Sequence, residues 1–143
     1  MTYNWAVLYA EDEECDRMFL ERAFRKAGLG CGLRTVVNGQ EAKDYLSGRG
    51  GYANRDEHPI PVLVLLDLKM PLLSGFEVLE WMRGHPGLTS LPVVVFTSSP
   101  RQEDKARAKE LGANEYVEKP SDAARFGDVV QWLRENWLAG LQC

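Results

Sequence analysis

The sequence predicts an α/β fold in which a five-stranded parallel sheet carries helices on both faces, doubly wound as five successive strand–helix pairs. Two observations support this prediction. Short apolar runs alternate with longer amphipathic segments five times along the chain, which is the order typical of repeated βα units. The apolar runs are also nearly continuous instead of alternating, as expected of strands that are covered on both faces of a parallel sheet.

The first two strand–helix pairs lie in the N-terminal third of the chain. WAVLYA is predicted to be a buried strand, and CDRMFLERAFRKAG after it has apolar residues at helical spacing, with Gly28 as a stop. LRTVV is the second predicted strand, and Asn38 is placed to cap the helix in NGQEAKDYL. The residues at helical spacing in the first predicted helix are Met18, Phe19, Arg22, Ala23 and Ala27.

The remaining three pairs follow a long loop. Ser47 to Pro61 is rich in glycine and proline and poor in apolar residues, which predicts a loop. The predicted strands after it are VLVLL, PVVVFTSS and the short EYVEKP. The helices are predicted in GFEVLEWMRGH, in the polar RQEDKARAKELGA and in DAARFGDVVQWLRENWL. The whole pattern fits one domain over residues 1–143, with its strand and helix core at about 5–138 and no output domain after it.

Composition restricts the class of protein. The net charge of −4 disfavours nucleic-acid binding, because no broad basic surface is implied. The N-terminus lacks a secretory signal, and no apolar run approaches the length that spans a bilayer, so a cytoplasmic protein without membrane contact is expected. The three cysteines contain no CxxC pair and are predicted to be reduced thiols, with Cys143 on a loose C-terminal end.

Polar residues collect where the predicted strands end. Glu11 and Asp12 follow the first strand, Asp67 follows the third, Thr97 ends the fourth and Lys119 follows the fifth. Parallel strands place their carboxyl ends at the same edge of the sheet, where sites form in doubly wound folds. The sequence therefore predicts a site with three carboxylates, one hydroxyl and one ammonium.

Three adjacent carboxylates repel one another unless a cation lies among them. Mg²⁺ suits such a site, since it prefers oxygen ligands and binds few carboxylates. The metal and Lys119 would offset the charge of an incoming phosphoryl group, and Asp67 would be the nucleophile that forms an acyl phosphate.

These motifs resemble the receiver domains of two-component response regulators over nearly the whole chain. The matching segments are ED after the first strand, LLDLKMP with SGFEVL after the third, VVVFTSS at the fourth and LGANEYVEKP at the fifth. The resemblance implies the flavodoxin-like receiver topology. It also implies a protein that accepts a phosphoryl group from a sensor histidine kinase, and that is not an enzyme acting on a separate substrate.

The resemblance assigns roles to the acidic residues. Asp67 would be the phosphoacceptor and a metal ligand, Asp12 a direct Mg²⁺ ligand, and Glu11 a ligand acting mainly through water. The backbone carbonyl of Lys69 would be the third protein ligand. Without the resemblance, Glu11 and Asp12 could equally be acids that favour a helix N-terminus.

The resemblance also assigns the residues that respond to phosphorylation. Thr97 would bond a phosphoryl oxygen, Lys119 would pair with the phosphoryl group, and the Lys119–Pro120 peptide bond would be cis. Tyr116 would be the aromatic switch residue, turning inward when Thr97 moves. The alternatives are a β-branched strand residue for Thr97 and simple strand packing for Tyr116.

Other function classes fit less well. A haloacid dehalogenase-type phosphatase carries a general acid two residues after its nucleophile, and that position is Lys69 here. A flavodoxin-like cofactor binder needs a Ser/Thr/Gly-rich loop after the first strand, but this loop reads EDEECD, and no P-loop motif occurs. A pure interaction module with a degenerate pocket is disfavoured because every key position is filled.

A narrower resemblance concerns the partners. KDYLSGRGGYANR, DLKMP, GFEVLEWMR, TSS and LGAN are similar to stand-alone receivers that partner bacteriophytochromes and cyanobacterial phytochromes. A phytochrome-type histidine kinase is the implied partner. The output would be a changed surface of the fourth helix, fifth strand and fifth helix, used for a partner or a homodimer. Trp132 and Trp137 are the predicted dimer anchors.

Overall fold

The computed structural model describes residues 4–143 and contains one parallel sheet of five strands in the order β2-β1-β3-β4-β5. This confirms the predicted doubly wound fold. Each strand is four or five residues long. The strands are β1 Val7–Ala10, β2 Leu33–Val36, β3 Leu63–Leu66, β4 Val93–Thr97 and β5 Glu115–Glu118.

Five helices alternate with the strands along the chain, and short 3₁₀ turns precede β2, follow α2 and precede α5. The helices are α1 Glu14–Lys26, α2 Gly39–Ser47, α3 Gly75–Arg83, α4 Gln102–Glu110 and α5 Phe126–Asn136. None of the helices described in residues 4–143 is both long and apolar enough to cross a membrane.

Helices cover both faces of the sheet. Val7 and Tyr9 of β1 pack in a core cluster with residues of α1 and α5. Leu8 and Ala10 point the other way, into a second cluster with residues of α2 and α3. Successive side chains of a strand alternate between faces, so the continuous apolar run of β1 fills both layers.

The inward face of α1 includes only some of the residues noted at helical spacing. Met18 is 48% exposed, and Arg22 is exposed as well. The buried residues of α1 are instead Leu20, Ala23 and Phe24. Leu20 and Phe24 are four apart and stack on one face, so they orient the helix on the sheet.

The cysteine prediction is wrong for two of the three thiols. Cys31 and Cys143 form a disulfide with Cα atoms 5.8 Å apart, whereas Cys15 is free. The C-terminal segment is therefore not loose: the Gln142 carbonyl accepts a hydrogen bond from Trp5 Nε1 at 3.2 Å. The two cysteines are 112 residues apart, and their contact depends on the path of the chain after α5, which no spacing pattern encodes.

The predicted cis peptide bond before Pro120 is also wrong. Every peptide bond among residues 4–143 is trans, the lower-energy form of an X–Pro bond. The Lys119 amide continues the pairing of β5 by donating to the Thr97 carbonyl at 2.7 Å.

The long loop between α2 and β3 is bound to α2. The Arg55 guanidinium donates to the carbonyls of Tyr45 and Leu46 at 2.8 and 2.9 Å, where helical carbonyls lack partners. The Tyr45 hydroxyl donates to the Pro59 carbonyl at 2.9 Å. The loop therefore has a defined path although it lacks regular strands or long helices.

Candidate functional site

The polar strand-end residues meet at the carboxyl edge of the sheet. Glu11 follows β1, Asp67 follows β3, and Thr97 is the last residue of β4. All three are buried, with 5% or less of their surface exposed. Lys119 follows β5 and reaches Glu11 and Asp67 with its ammonium group. The juxtaposition expected from the strand order is therefore present.

The Lys119 ammonium lies at the centre of the site. Its Nζ atom is 2.9 Å from Glu11 Oε1, 2.8 Å from Asp67 Oδ2 and 2.7 Å from Asp16 Oδ2. An ammonium has three N–H donors, and each of them has a carboxylate partner here. Burial alone would lower the pKa of Lys119, but the bonds to Asp16 and Asp67 outweigh burial and raise it, so Lys119 stays charged.

The backbone after β3 fixes the Asp67 carboxylate. Its Oδ1 atom accepts hydrogen bonds from the amides of Leu68 at 2.6 Å and Lys69 at 3.4 Å. The Gly75 amide donates to the Leu68 carbonyl at 2.9 Å, which folds the start of α3 against this turn. A Cβ atom on Gly75 would lie 2.1 Å from the Asp67 carbonyl oxygen, so only glycine fits there.

The carboxylates of Glu11, Asp12 and Asp67 form a cluster that fits a divalent cation. One oxygen from each lies within 4.8 Å of the others. Glu11 Oε2 is buried without a hydrogen-bond partner among the described residues, whereas Asp12 is exposed to solvent. A buried orphan oxygen beside two further carboxylates is the donor set that Mg²⁺ prefers. The Lys69 amide lies beside Asp67, and ligation by the Lys69 carbonyl stays a prediction.

The pKa values of the two buried carboxyl groups, Glu11 and Asp67, are shifted in opposite directions. Burial raises the pKa of Glu11 to about 9; the adjacent Asp67 adds to the rise, and Lys119 opposes it. Burial alone would raise the pKa of Asp67 too, but its neighbours Glu11 and Lys119 outweigh burial and lower it. Without metal, these opposite shifts favour a proton on Glu11 over one on Asp67, and they favour the ionised Asp67 that a nucleophile requires.

We predict that the affinity for Mg²⁺ rises with pH. Metal binding to the cluster competes with the proton on Glu11, so raising the pH removes the competitor. The apparent association constant should increase up to about tenfold per pH unit and level off above the Glu11 pKa of about 9. Calorimetric titration in two buffers of different ionisation enthalpy measures both the affinity and the proton released. Equal affinity near neutral pH and near the Glu11 pKa would contradict the assignment.

Thr97 and Tyr116 are joined through the loop after β4. Thr97 Oγ1 accepts from the Ser99 amide at 3.4 Å, and the Tyr116 hydroxyl donates to the Ser99 carbonyl at 2.8 Å. The Ser99 hydroxyl in turn donates to Asp104 of α4 at 2.6 Å. A displacement of Thr97 therefore acts directly on the backbone that Tyr116 holds, although the switch itself stays a prediction.

An open cavity of about 570 Å³ lies beside the acidic cluster. Asp12 and Lys69 line one part of it, and Arg101 and Arg107 line another. The Arg107 guanidinium stacks over the Phe76 ring at 4.2 Å. Asp104 also lines this cavity, so side chains of both charges face it beside the turn after β3.

Asp16 is the site residue that the sequence analysis missed. It is the third residue of α1, within the acidic run EDEECD, whereas Asp12 precedes the helix. Asp16 is four residues before Leu20, and residues four apart share a helix face, so its spacing from the buried residues of α1 was the available signal. Only Glu11 and Asp12 of this run were predicted to belong to the site.

Residues 7–131 match the family model described as response regulator receiver domain. The chain is 33% identical to the probable methanogenesis regulatory protein FilR2 of Methanothrix harundinacea, over 92% of this chain and 83% of the relative. It is 31% identical to response regulator Rcp1 of Synechocystis sp., over 92% of this chain and 88% of the relative.

Solved structures show the same relationship. The phosphorylated cyanobacterial phytochrome response regulator RcpA superposes with a TM-score of 0.87 at 30% identity, over 98% of both chains. The Mn²⁺-bound form of response regulator Rcp1 superposes with a TM-score of 0.84 at 30% identity, over 96% of this chain and 97% of that one.

Proposed function

Because this chain belongs to the response regulator receiver domain family, we propose that Asp67 accepts a phosphoryl group from a sensor histidine kinase in a Mg²⁺-dependent reaction. The observation that carries the proposal is the position of the Asp67 carboxylate, buried at a strand end with the Lys119 ammonium 2.8 Å away. The acidic cluster with its orphan Glu11 oxygen supports a divalent cation beside it.

The reaction transfers one phosphoryl group. A carboxylate oxygen of Asp67 forms a bond to phosphorus while the bond from phosphorus to the imidazole nitrogen of the donor breaks, and the imidazole leaves with its electron pair and takes up a proton. Lys119 offsets the charge on the phosphoryl oxygens, and the Thr97 hydroxyl is within the site to donate to one of them. Bound Mg²⁺ supplies further positive charge for those oxygens.

The same geometry supports a phosphoacceptor over a phosphatase. Hydrolytic turnover of a separate substrate needs a general acid near the nucleophile. Two residues after Asp67 stands Lys69, whose side chain is exposed. We therefore propose that the protein catalyses only its own phosphorylation and dephosphorylation.

Incubation with a small phosphodonor such as acetyl phosphate tests the proposal. Intact-mass spectrometry should detect one added phosphoryl group on the wild type with Mg²⁺, and none with a chelator, because the charge of the acidic cluster is then uncompensated. Asp67→Asn should gain no mass under either condition. Equal gain by Asp67→Asn, or no gain by the folded wild type, would contradict the proposal.

The proposed partner is a phytochrome-type sensor histidine kinase in the cytoplasm. RcpA and Rcp1, both similar over more than 90% of this chain, support it, since RcpA is described as a phytochrome response regulator. Faster phosphotransfer from a phytochrome kinase than from an unrelated histidine kinase would be the supporting result.

The Cys31–Cys143 disulfide is unusual for the cytosol. Alkylation of cell extracts after acid quenching would show whether it forms there.

The proposed output is a homodimer or partner contact through α4, β5 and α5. This face carries a Lys105–Glu118 ion pair of 3.0 Å across α4 and β5. Trp132 and Trp137 are partly buried against the core, so each indole offers only part of its surface as a dimer anchor.

We predict that phosphorylation strengthens this association. Sedimentation velocity with and without fluoroberyllate, a phosphoryl mimic, should show a shift from monomer toward dimer. The reason is that the loop after β4, whose Ser99 carbonyl accepts from Tyr116 of β5, leads directly into α4. A monomer in both states at tens of micromolar, about the range of a weak interface, would refute the dimer.

A further inference from the structure

Asp16 has no part in the chemistry described so far, although it makes the shortest of the three Lys119 contacts, at 2.7 Å. It is the third residue of α1, and its side chain is 25% exposed. Burial lowers the pKa of Lys119, and the hydrogen bond to Asp16 is the largest single interaction that raises it. The Lys119–Asp16 ion pair is therefore a short, charge-assisted hydrogen bond that is partly shielded from solvent.

Asp16 differs from the other two partners of Lys119 in one respect. Glu11 and Asp67 belong to the cluster of carboxylates that fits a divalent cation, together with Asp12, and Asp16 does not. An ammonium and a divalent cation that share Glu11 and Asp67 repel each other. Of the three carboxylate partners of Lys119, Asp16 is therefore the one that a bound metal would not share.

We infer, on the basis of the proposed function, that Asp16 is a positioning residue that acts through Lys119. When Glu11 and Asp67 serve as metal ligands, Asp16 retains the ammonium at the α1 side of the site and lowers its repulsion with the metal. When Asp67 carries a phosphoryl group, the same Asp16 carboxylate competes with that group for the Lys119 donors. Asp16 thus favours metal binding and weakens the hold on the phosphoryl group.

The two effects have opposite signs, which separates this role from a structural one. Asp16→Asn should bind Mg²⁺ less tightly, and, once saturated with Mg²⁺, it should bind fluoroberyllate more tightly. Each change should be about fivefold, the size expected for the loss of one charged partner near the protein surface. A general loss of structure would weaken both.

The experiment measures the two affinities separately. Mg²⁺ is titrated by calorimetry without any phosphoryl mimic, and fluoroberyllate is titrated at saturating Mg²⁺. Glu14→Gln is the matched control, because it removes one exposed carboxylate from the same first turn of α1. Both affinities of Glu14→Gln should stay within about twofold of the wild type. Asp16→Glu should restore the wild-type pattern, and Asp16→Ala replaces Asp16→Asn if the latter does not fold.

Each result decides the inference. The inference would be overturned if Asp16→Asn changed the two affinities by no more than Glu14→Gln does. It would also be overturned if Asp16→Asn changed both affinities in the same direction. A folded wild type that binds Mg²⁺ but no fluoroberyllate would instead overturn the proposed function, and with it the phosphoryl half of the inference. The Mg²⁺ affinity of Asp16→Asn alone would then decide whether Asp16 favours metal binding.

Discussion

Lys119→Met is expected to lower the free energy of unfolding by about 3 kcal/mol in the absence of divalent cations. The variant removes the ammonium that contacts the carboxylates of Glu11, Asp16 and Asp67, while the side-chain volume stays similar. Breaking a buried ion pair from one side leaves uncompensated carboxylates, which is more costly than the net value of the pair. Urea unfolding with a chelator measures this loss.

Magnesium should reverse part of that loss. A ligand that binds only the folded state stabilises it by mass action, and Lys119→Met presents the acidic cluster without a competing ammonium. Lys105→Met is the matched control: its ion pair with Glu118 is partly exposed to solvent, so its removal should cost less than about 1 kcal/mol. If Lys119→Met and Lys105→Met unfolded at the same urea concentration, the result would contradict the claim that the contacts of Lys119 with the three carboxylates stabilise the fold.

Gly75→Ala is expected to destabilise the protein by about 2–3 kcal/mol. The added methyl group would lie 2.1 Å from the Asp67 carbonyl oxygen and 2.9 Å from Leu68 Cα, so the backbone on both sides of the contact must move apart. This movement displaces the residue that carries the nucleophile. Chemical denaturation reports the stability, and the rate of phosphorylation by a small donor reports the displacement.

The control for this variant is Gly127→Ala in α5. A Cβ atom there meets nothing within 4 Å, and alanine has the higher helix propensity, so the change should be neutral or stabilising by up to about 1 kcal/mol. Gly75→Ala with the stability and phosphorylation rate of Gly127→Ala would show that the turn after β3 tolerates a side chain, contrary to the geometry.

The sequence was sufficient to predict the fold and most of the site, for a physical reason. Continuous apolar runs mark strands buried on both faces, and the ends of parallel strands share one edge. The positions of Glu11, Asp67, Thr97 and Lys119 follow from chain order alone, without knowledge of any side-chain packing. The resemblance to receivers then added roles that the strand ends do not reveal.

What the sequence did not predict depends on how elements are oriented and where irregular segments run. The rotation of α1 is set by Leu20 and Phe24 packing on the sheet, and it decides that Asp16 faces Lys119. The disulfide between Cys31 and Cys143 depends on the path of the last residues over the protein. The spacing of Leu20, Ala23 and Phe24 does indicate the rotation of α1, although the prediction did not use it. The disulfide arises from tertiary packing, and no spacing pattern encodes it.

The most direct test of the central claim is to locate the phosphoryl group on the chain. Borohydride reduces an aspartyl phosphate to homoserine and releases phosphate, whereas an unmodified carboxylate is left intact. After phosphorylation with Mg²⁺ and a small donor, followed by reduction and peptide mass spectrometry, we predict homoserine at position 67 and at no other acidic residue. Homoserine at Asp12 or Asp16, or an unreduced Asp67 in protein that has gained a phosphoryl group, would contradict Asp67 as the phosphoacceptor.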